Sequence, residues 1–387
     1  MNVIFLSPHF PLNFYHFCRH LKHMGGNVLG IGDVAYDSLT AGQRSSLTEY
    51  YRVDNMEEYE QVVRACDYFT HRYGKLDRAE SHNEHWLHME ARLRTDFDMT
   101  GIQASDMAEF QKKSQMKQRF VAAGIPVARG RVVQSRQELE AWIAEIGYPV
   151  VAKPDRGVGA SNTYRLNNVQ DREEFLATNP VVAYMVEEFI DGSICSFDGL
   201  TDHDGNIVFY TAHQNCDGIM EIVNNDLHTA YYSLRKIPAD LEAAGRKAVQ
   251  CFPLSDRFFH IEFFRTRRDG KLIALEANLR PPGGLTMDMF NYANDIDMYA
   301  QWASVVLHKR FTANYDRPYH CAFIGRKFSK PYVFTHDEIV ANYGGEIVHH
   351  TAMSPVFRRA MGDYAYLVRS GALDKIFEIK EFIHRIR

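Results

Sequence analysis

The segment from His260 to Arg280 constrains the fold more than any other. It reads His260-Ile-Glu-Phe-Phe-Arg-Thr-Arg-Arg-Asp-Gly-Lys-Leu-Ile-Ala-Leu-Glu-Ala-Asn-Leu-Arg280, two apolar-rich runs around Asp269-Gly270. Such runs on either side of Asp-Gly predict a β-hairpin. Glu262 and Glu276 each lie seven positions from Asp269, so a three-residue turn centred there sets them opposite one another on one face. Side chains alternate along a strand, which puts Asn278 on the face of Glu276. Crowded carboxylates repel unless a cation sits between them. Two carboxylates and an amide oxygen are a donor set that Mg²⁺ accepts, completed by water and nucleotide phosphates. Standing alone, a surface hairpin with two solvated glutamates explains the pattern equally well.

The chain has 387 residues, enough for about two or three domains. Apolar residues make up 45% and charged residues 24%, the balance of an ordinary globular protein. The net charge of −5 provides no basic field for a phosphate backbone, which argues against nucleic acid as a partner. Cys18, Cys66, Cys195, Cys216, Cys251 and Cys321 are scattered, with no C-x-x-C pair, as expected of reduced thiols in a cytoplasmic protein. The opening MNVIFLSPHFPLNFYHF lacks a basic n-region and its apolar run breaks at Ser7-Pro8-His9. It reads as a first strand rather than a signal peptide. No apolar stretch approaches the roughly 18 residues of a membrane span.

Strands at Asn2–Leu6 and Val28–Ile31 alternate with helical patterns at Phe10–Met24 and Glu57–Arg72, which predicts a parallel α/β unit over residues 1–105. No G-x-G-x-x-G follows the first strand, so this Rossmann-like unit has no dinucleotide fingerprint of its own. A helix over Asp106–Ala123, strands at Gly130–Val133 and Pro149–Lys153 and a helix at Arg136–Ile146 follow. The part from 181 to about 278 is strand-rich with one helix near Ala239–Cys251. Short strands (Cys321–Lys327, Glu346–His350, Tyr364–Arg369) and a helix over Leu373–Arg387 end the chain. Expected divisions are 1–105, 106–185, 186–310 and 311–387.

Two further segments carry chemistry. In Tyr148-Pro-Val-Val-Ala-Lys153-Pro-Asp-Arg-Gly157-Val-Gly159-Ala160-Ser161 a lysine ends a buried strand and a glycine-rich turn follows. That arrangement suits a point charge aimed at phosphates beneath a loop whose N–H groups close over them. It is no Walker A, since no Gly-Lys-Ser/Thr follows the glycines. Val186-Glu187-Glu188-Phe189-Ile190-Asp191-Gly192 joins an apolar strand to a turn, with backbone groups able to pair with a purine edge. Alone, each also reads as an ordinary turn or a solvated strand end.

Taken in order, Lys113, Lys153, Glu187, Glu262, Glu276, Asn278 and Arg280 resemble the ATP-grasp superfamily, over roughly residues 100 to 310. The flanks resemble its carboxylate–amine (amino-acid) ligases. The resemblance implies a Rossmann-like domain, a two-subdomain ATP-grasp fold of mixed α/β and α+β character, and a small C-terminal extension. It implies that Lys113 and Lys153 contact ATP phosphates beside Gly157, Gly159, Ala160 and Ser161. Glu187, Glu188, Phe189, Ile190 and Asp191 would form the nucleotide hinge, with main-chain groups of Glu187 and Ile190 on the adenine. Glu262, Glu276 and Asn278 would hold Mg²⁺, with Mn²⁺ as an alternative. Arg280 and Lys153 would be the catalytic residues, Arg280 stabilising the acyl phosphate and the tetrahedral intermediate, and Gly283-Gly284 completes the usual ending. The family's ribose-binding glutamate is replaced by Ile194, which leaves Asp191 as a substitute.

The expected activity is ATP-dependent coupling of a small-molecule carboxylate to an amine through an acyl phosphate, releasing ADP and phosphate, in a cytoplasmic protein that the resemblance suggests is a homodimer. The alternatives are bicarbonate activation, as in biotin-dependent carboxylases, and a nucleotide-binding regulator without turnover. The regulator should have lost a metal ligand or Arg280, and all four are present. His82, His85 and His88 are expected on a helix, drifting around its face rather than sharing a metal. His349 and His350 fall on opposite strand faces, and Arg265, Arg267 and Arg268 form a solvated hairpin tip.

Overall fold

The computed structural model describes residues 1–157, 162–178, 182–216, 218, 222 and 225–387, apart from the side chain of Ala108. Among these residues the chain builds three sheets. The first is parallel, with β1 (Asn2–Leu6), β2 (Asn27–Gly32), β3 (Glu49–Arg52) and β4 (Arg78–Glu80) in the order β3-β2-β1-β4. Val3 to Leu6 are fully buried, as a parallel strand covered on both faces requires. Crossover helices at Tyr15–His23 and Tyr59–Tyr73 cover it. The first of these was expected to start at Phe10. Pro8 and Pro11 delay it, because the residue before a proline disfavours helical backbone.

The second sheet is antiparallel and holds β5 (Gly130–Val133), β6 (Val150–Pro154), β7 (Tyr164–Leu166) and β8 (Tyr184–Glu188), ordered β5-β8-β6-β7. The helix Arg136–Ile146 between β5 and β6 starts on Ser135, whose side chain accepts from the Glu138 amide, and stops at Gly147. The single helix expected over 106–123 is two, Met107–Gln111 and Lys113–Ala122. Asp155, just past β6, breaks it. Its carbonyl accepts from Lys113 N at 2.9 Å and its carboxylate takes Ser114 N and Oγ, each at 2.8 Å. A cap supplied from another element therefore begins the second helix at Lys113.

The third sheet has eight strands: β9 (Gly192–Thr201), β10 (Ile207–Asn215), β11 (Thr229–Ser233), β12 (Phe258–Thr266), β13 (Leu272–Asn278), β14 (His320–Arg326), β15 (Ile347–Ala352) and β16 (Tyr364–Ser370). Their order is β13-β12-β9-β10-β11-β14-β16-β15. The boundary expected at 185/186 thus falls inside β8, and the one at 310/311 separates strands of a single sheet. The C-terminal strands extend the central sheet through the β11–β14 ladder, and the helix Leu373–His384 packs Ile376, Ile379 and Ile383 beneath them.

The β12–β13 hairpin reaches the expected pairing by a different route. Its loop holds four residues, since Thr266 N donates to the Lys271 carbonyl at 3.0 Å. The ladder then runs Arg265↔Leu272, Phe264↔Ile273 and Phe263↔Ala274, and shifts to Glu262↔Glu276. Leu275 is the extra residue of a β-bulge, which reverses side-chain parity. Buried Ala274 and Ala277, three positions apart, record that reversal.

Six buried charges lock the first sheet against the third. Arg78 bridges Glu80 and Asp256, each at 3.0 Å, while Arg94 meets Glu80 at 3.2 Å and Glu90 at 2.8 Å. Arg257 reaches Glu80 at 3.4 Å and Glu90 at 3.5 Å. Three arginines against three carboxylates leave no net charge to solvate, the condition under which buried ions persist.

Candidate active site

The second sheet delivers Lys153 and Glu187, the capped helix delivers Lys113, and β12–β13 deliver the acids. Lys153 Nζ lies 2.9 Å from Glu187 Oε2, and Lys113 Nζ lies 3.1 Å from Glu276 Oε1 and 2.9 Å from the Gly157 carbonyl. A third lysine joins them. Lys117 Nζ sits 2.8 Å from Glu187 Oε1, so one buried carboxylate is shared by two buried ammonium groups. Lys117 lies four residues after Lys113, on the same helix face; that spacing was the available signal. Glu187 is 4% exposed, not a solvated strand end. Burial works against its charge, but Lys153 and Lys117 outweigh burial and hold its pKa below the usual range. Burial likewise opposes the Lys153 charge, and Glu187, with Glu276 and Glu262 behind it, raises its pKa nonetheless. At Lys117 burial prevails and the pKa is lowered.

The hinge follows β8. Glu188 is fastened to Arg129, whose N–H and Nε donate to its two oxygens at 2.8 and 3.0 Å, and Phe189 lies beneath the Arg165 guanidinium. The Phe189 N–H is taken by the Pro149 carbonyl. Asp191 is exposed and paired with Arg267 at 3.0 Å. Ile194 is buried in β9, and its hydrocarbon side chain has no polar atom to offer a ribose hydroxyl. The hairpin tip is therefore only partly solvated: Arg267 holds Asp191 and Arg265 holds Asp240 at 2.6 Å. Gly159, Ala160 and Ser161 lie outside the described residues; Gly157 has φ +142, a conformation suited to glycine.

Pairing across β13, β12, β9 and β10 sets two polar rows on one face of the third sheet. One row is Glu276, Glu262, Ser196 and His213, and the next is Asn278, His260, Asp198 and Thr211. The opposite face buries Ile261, Phe263, Phe197 and Ala277. Glu262, Glu276 and Asn278 thus share a face, as expected. Two carboxylates and an amide are hard oxygen donors and fit Mg²⁺. Among the described residues no group of three or more His, Cys, Asp or Glu is arranged to hold a metal.

Asp198 is fully buried and accepts from Ser196 Oγ at 2.6 Å, His213 Nδ1 at 2.7 Å and His260 Nδ1 at 2.5 Å. A carboxylate only accepts, so both imidazoles carry a proton on Nδ1. The other nitrogen of His260 faces Glu262 Oε1 at 3.7 Å. Burial disfavours the imidazolium, but Asp198 and Glu262 prevail and raise the His260 pKa to about 10.

Arg280 donates to Glu84 Oε2 at 2.6 Å and to the Pro281 carbonyl at 2.8 Å, with Asn278 Oδ1 at 3.5 Å. Glu84 comes from the first sheet's unit, 196 positions away, and sequence spacing held no signal for it. Its loop also corrects the histidine expectation. His82 is buried at φ +58, His85 is in a turn over Glu84–Trp86, and only His88 lies on the helix Leu87–Asp96.

Residues 146–288 match the family model described as the ATP-grasp domain. Those residues are an ATP-grasp domain. The whole fold is similar to the crystal structure of L-amino acid ligase from Bacillus licheniformis, with TM-score 0.76 and 13% identity over 99% of this chain and 96% of that one. By sequence, the chain is 22% identical over 246 residues to the L-arginine-specific L-amino acid ligase of Bacillus subtilis, covering 61% of this chain and 59% of that protein. It is 24% identical over 193 residues to the carbamoyl phosphate synthase large chain of Pseudothermotoga lettingae, covering 48% of this chain and 17% of that protein. The match thus spans less than two thirds of either relative. Within the ATP-grasp domain lie Lys153, Glu187, Glu262, Glu276, Asn278 and Arg280, whereas Lys113, Lys117 and Glu84 precede the matched residues. No helix among the described residues is long and apolar enough to cross a membrane.

Proposed function

We propose that this protein is an ATP-dependent ligase that activates a small carboxylate as an acyl phosphate and couples it to an amine. The observation that carries the reading is the contact of Lys113 with Glu276 at 3.1 Å. It joins the lysine cluster to the paired acids and, four residues on, to Arg280. In this reading main-chain groups at Glu187 and Ile190 hold the adenine, and Lys113 and Lys153 hold the phosphates. Glu262, Glu276 and Asn278 would ligate Mg²⁺, which when bound neutralises phosphate charge.

A carboxylate oxygen attacks the γ-phosphorus and ADP leaves. The amine nitrogen then attacks the acyl carbon, loses a proton and expels phosphate. Arg280 stabilises the oxyanion that develops, a role in which donors placed in advance are worth most. Glu84 holds its guanidinium in place meanwhile.

Amino acids are the favoured substrates, because two of the similar proteins are L-amino acid ligases. The carbamoyl phosphate synthase similarity keeps bicarbonate as the second acid to assay. The test measures phosphate release from Mg²⁺-ATP across paired acids and amines, with mass spectrometry of the products. A condensed product that needs one acid and one amine is expected, and it should vanish in Glu276→Gln and Arg280→Ala. Phosphate release that needs no amine would overturn the ligase reading. A homodimer accompanies the proposal and is tested by sedimentation.

A further inference from the structure

The two acids of the hairpin are each met by a basic side chain. Glu276 meets Lys113 at 3.1 Å, and Glu262 meets His260 Nε2 at 3.7 Å. Lys113 is itself expected at the phosphates, whereas His260 has no such second task. It stands on β12 between Asn278 and Asp198, its cross-strand neighbours, and its Nδ1 donates to Asp198 Oδ1. Asp198 in turn is held by Ser196 and His213. All these groups lie on the polar face, and strand pairing fixes their directions.

The result is a chain of contacts from a fully buried carboxylate, through an imidazole, to a carboxylate of the nucleotide site. Donors that orient a ligand from behind are a common means of tuning metal affinity. Resting on the reading above, we propose that Asp198 and His260 are positioning residues for Glu262, setting its carboxylate to receive the divalent cation. His213 and Ser196 keep Asp198 aligned through their hydrogen bonds to it.

The test titrates Mn²⁺ into the protein–ADP complex and follows bound metal by electron paramagnetic resonance. His260→Phe should weaken Mn²⁺ binding by roughly 10- to 100-fold while leaving metal-free ADP affinity unchanged. His260→Gln keeps a donor toward Glu262 and should recover much of the loss. Should His260→Phe not fold, Asp198→Asn and His260→Gln carry the same comparison, with a weaker Mn²⁺ affinity expected for Asp198→Asn. A purely structural pair would lower the melting temperature and leave Mn²⁺ affinity within twofold, and that result overturns the proposal. Glu262→Gln serves as the control. If Glu262→Gln loses the metal and the His260 and Asp198 variants do not, the positioning role fails alone. If Glu262→Gln binds Mn²⁺ normally, the site assignment itself is wrong.

Discussion

Replacing Lys117 by methionine should weaken nucleotide binding without unfolding the protein. Lys117 and Lys153 lie 2.8 and 2.9 Å from the two oxygens of Glu187, so one carboxylate divides its attraction between two ammonium groups. A unit-charge pair about 4 Å apart is worth about 4 kcal/mol at the effective dielectric of a partly wet site. With Lys117 gone, Glu187 keeps Lys153 to itself, and the phosphates must compete against a firmer pair. If about 1.4 to 2 kcal/mol of that attraction is redirected, ATP binds about ten- to thirtyfold more weakly. The apo protein changes little, because the lost contact is offset by removing a buried ammonium, and the remaining Lys153–Glu187 pair is neutral. Glu187→Gln is the opposite case. It leaves two buried cations unpaired and should cost about 3–5 kcal/mol of stability, which bound nucleotide partly restores. Calorimetric titration with ATP and thermal melts with and without nucleotide measure both. ATP affinity within twofold of the parent in Lys117→Met would refute the shared-carboxylate argument.

Glu84→Ala should release Arg280, lowering kcat by up to about 100-fold with ATP affinity within twofold; steady-state kinetics beside direct binding show whether the two separate. Acid should destabilise the fold early, because burial among Phe5, Phe17 and Trp302, against Glu80 and beside Arg257, Arg78 and Arg94, lowers the His82 pKa to about 3. The unfolded chain, with its histidine near about 6.5, then binds the extra proton, so stability present above that pH is lost as pH falls, by about 2 kcal/mol at pH 5 from His82. Urea midpoints at pH 7.5 and 5.0 should show this, and His82→Leu should flatten the difference; an unchanged pH dependence in that variant would refute it. Gly199→Ala should lose several kcal/mol or fail to fold, since its Cβ would stand 2.1 Å from the Phe209 carbonyl oxygen, a backbone atom; a melt like the parent's would show that the strands give way.

Local chemistry made part of this protein legible. Asp269-Gly270 between apolar runs forms the β12–β13 hairpin, Ser135 and Gly147 bound a helix over Arg136–Ile146, and the parity of Glu262, Glu276 and Asn278 sets them on one face. Each of these depends on neighbours a few residues away, where propensity, capping and alternation act. Even there, the four-residue loop and the bulge at Leu275 were invisible, because two one-residue offsets cancel and leave the same pairing.

What the linear chain determined, then, was which residues carry the chemistry: the lysines, the acids and the arginine, and the strands and helices on which they ride. What only the tertiary structure decided was their company. Asp155 breaks a helix to begin it at Lys113, and Glu84 reaches Arg280 from 196 positions away. Asp198 finds His260 only once β9 and β12 are in register. Such contacts depend on strand order and on charges meeting in buried surroundings, where an unpaired ion is too costly to persist. No local pattern encodes which distant partner will answer that cost.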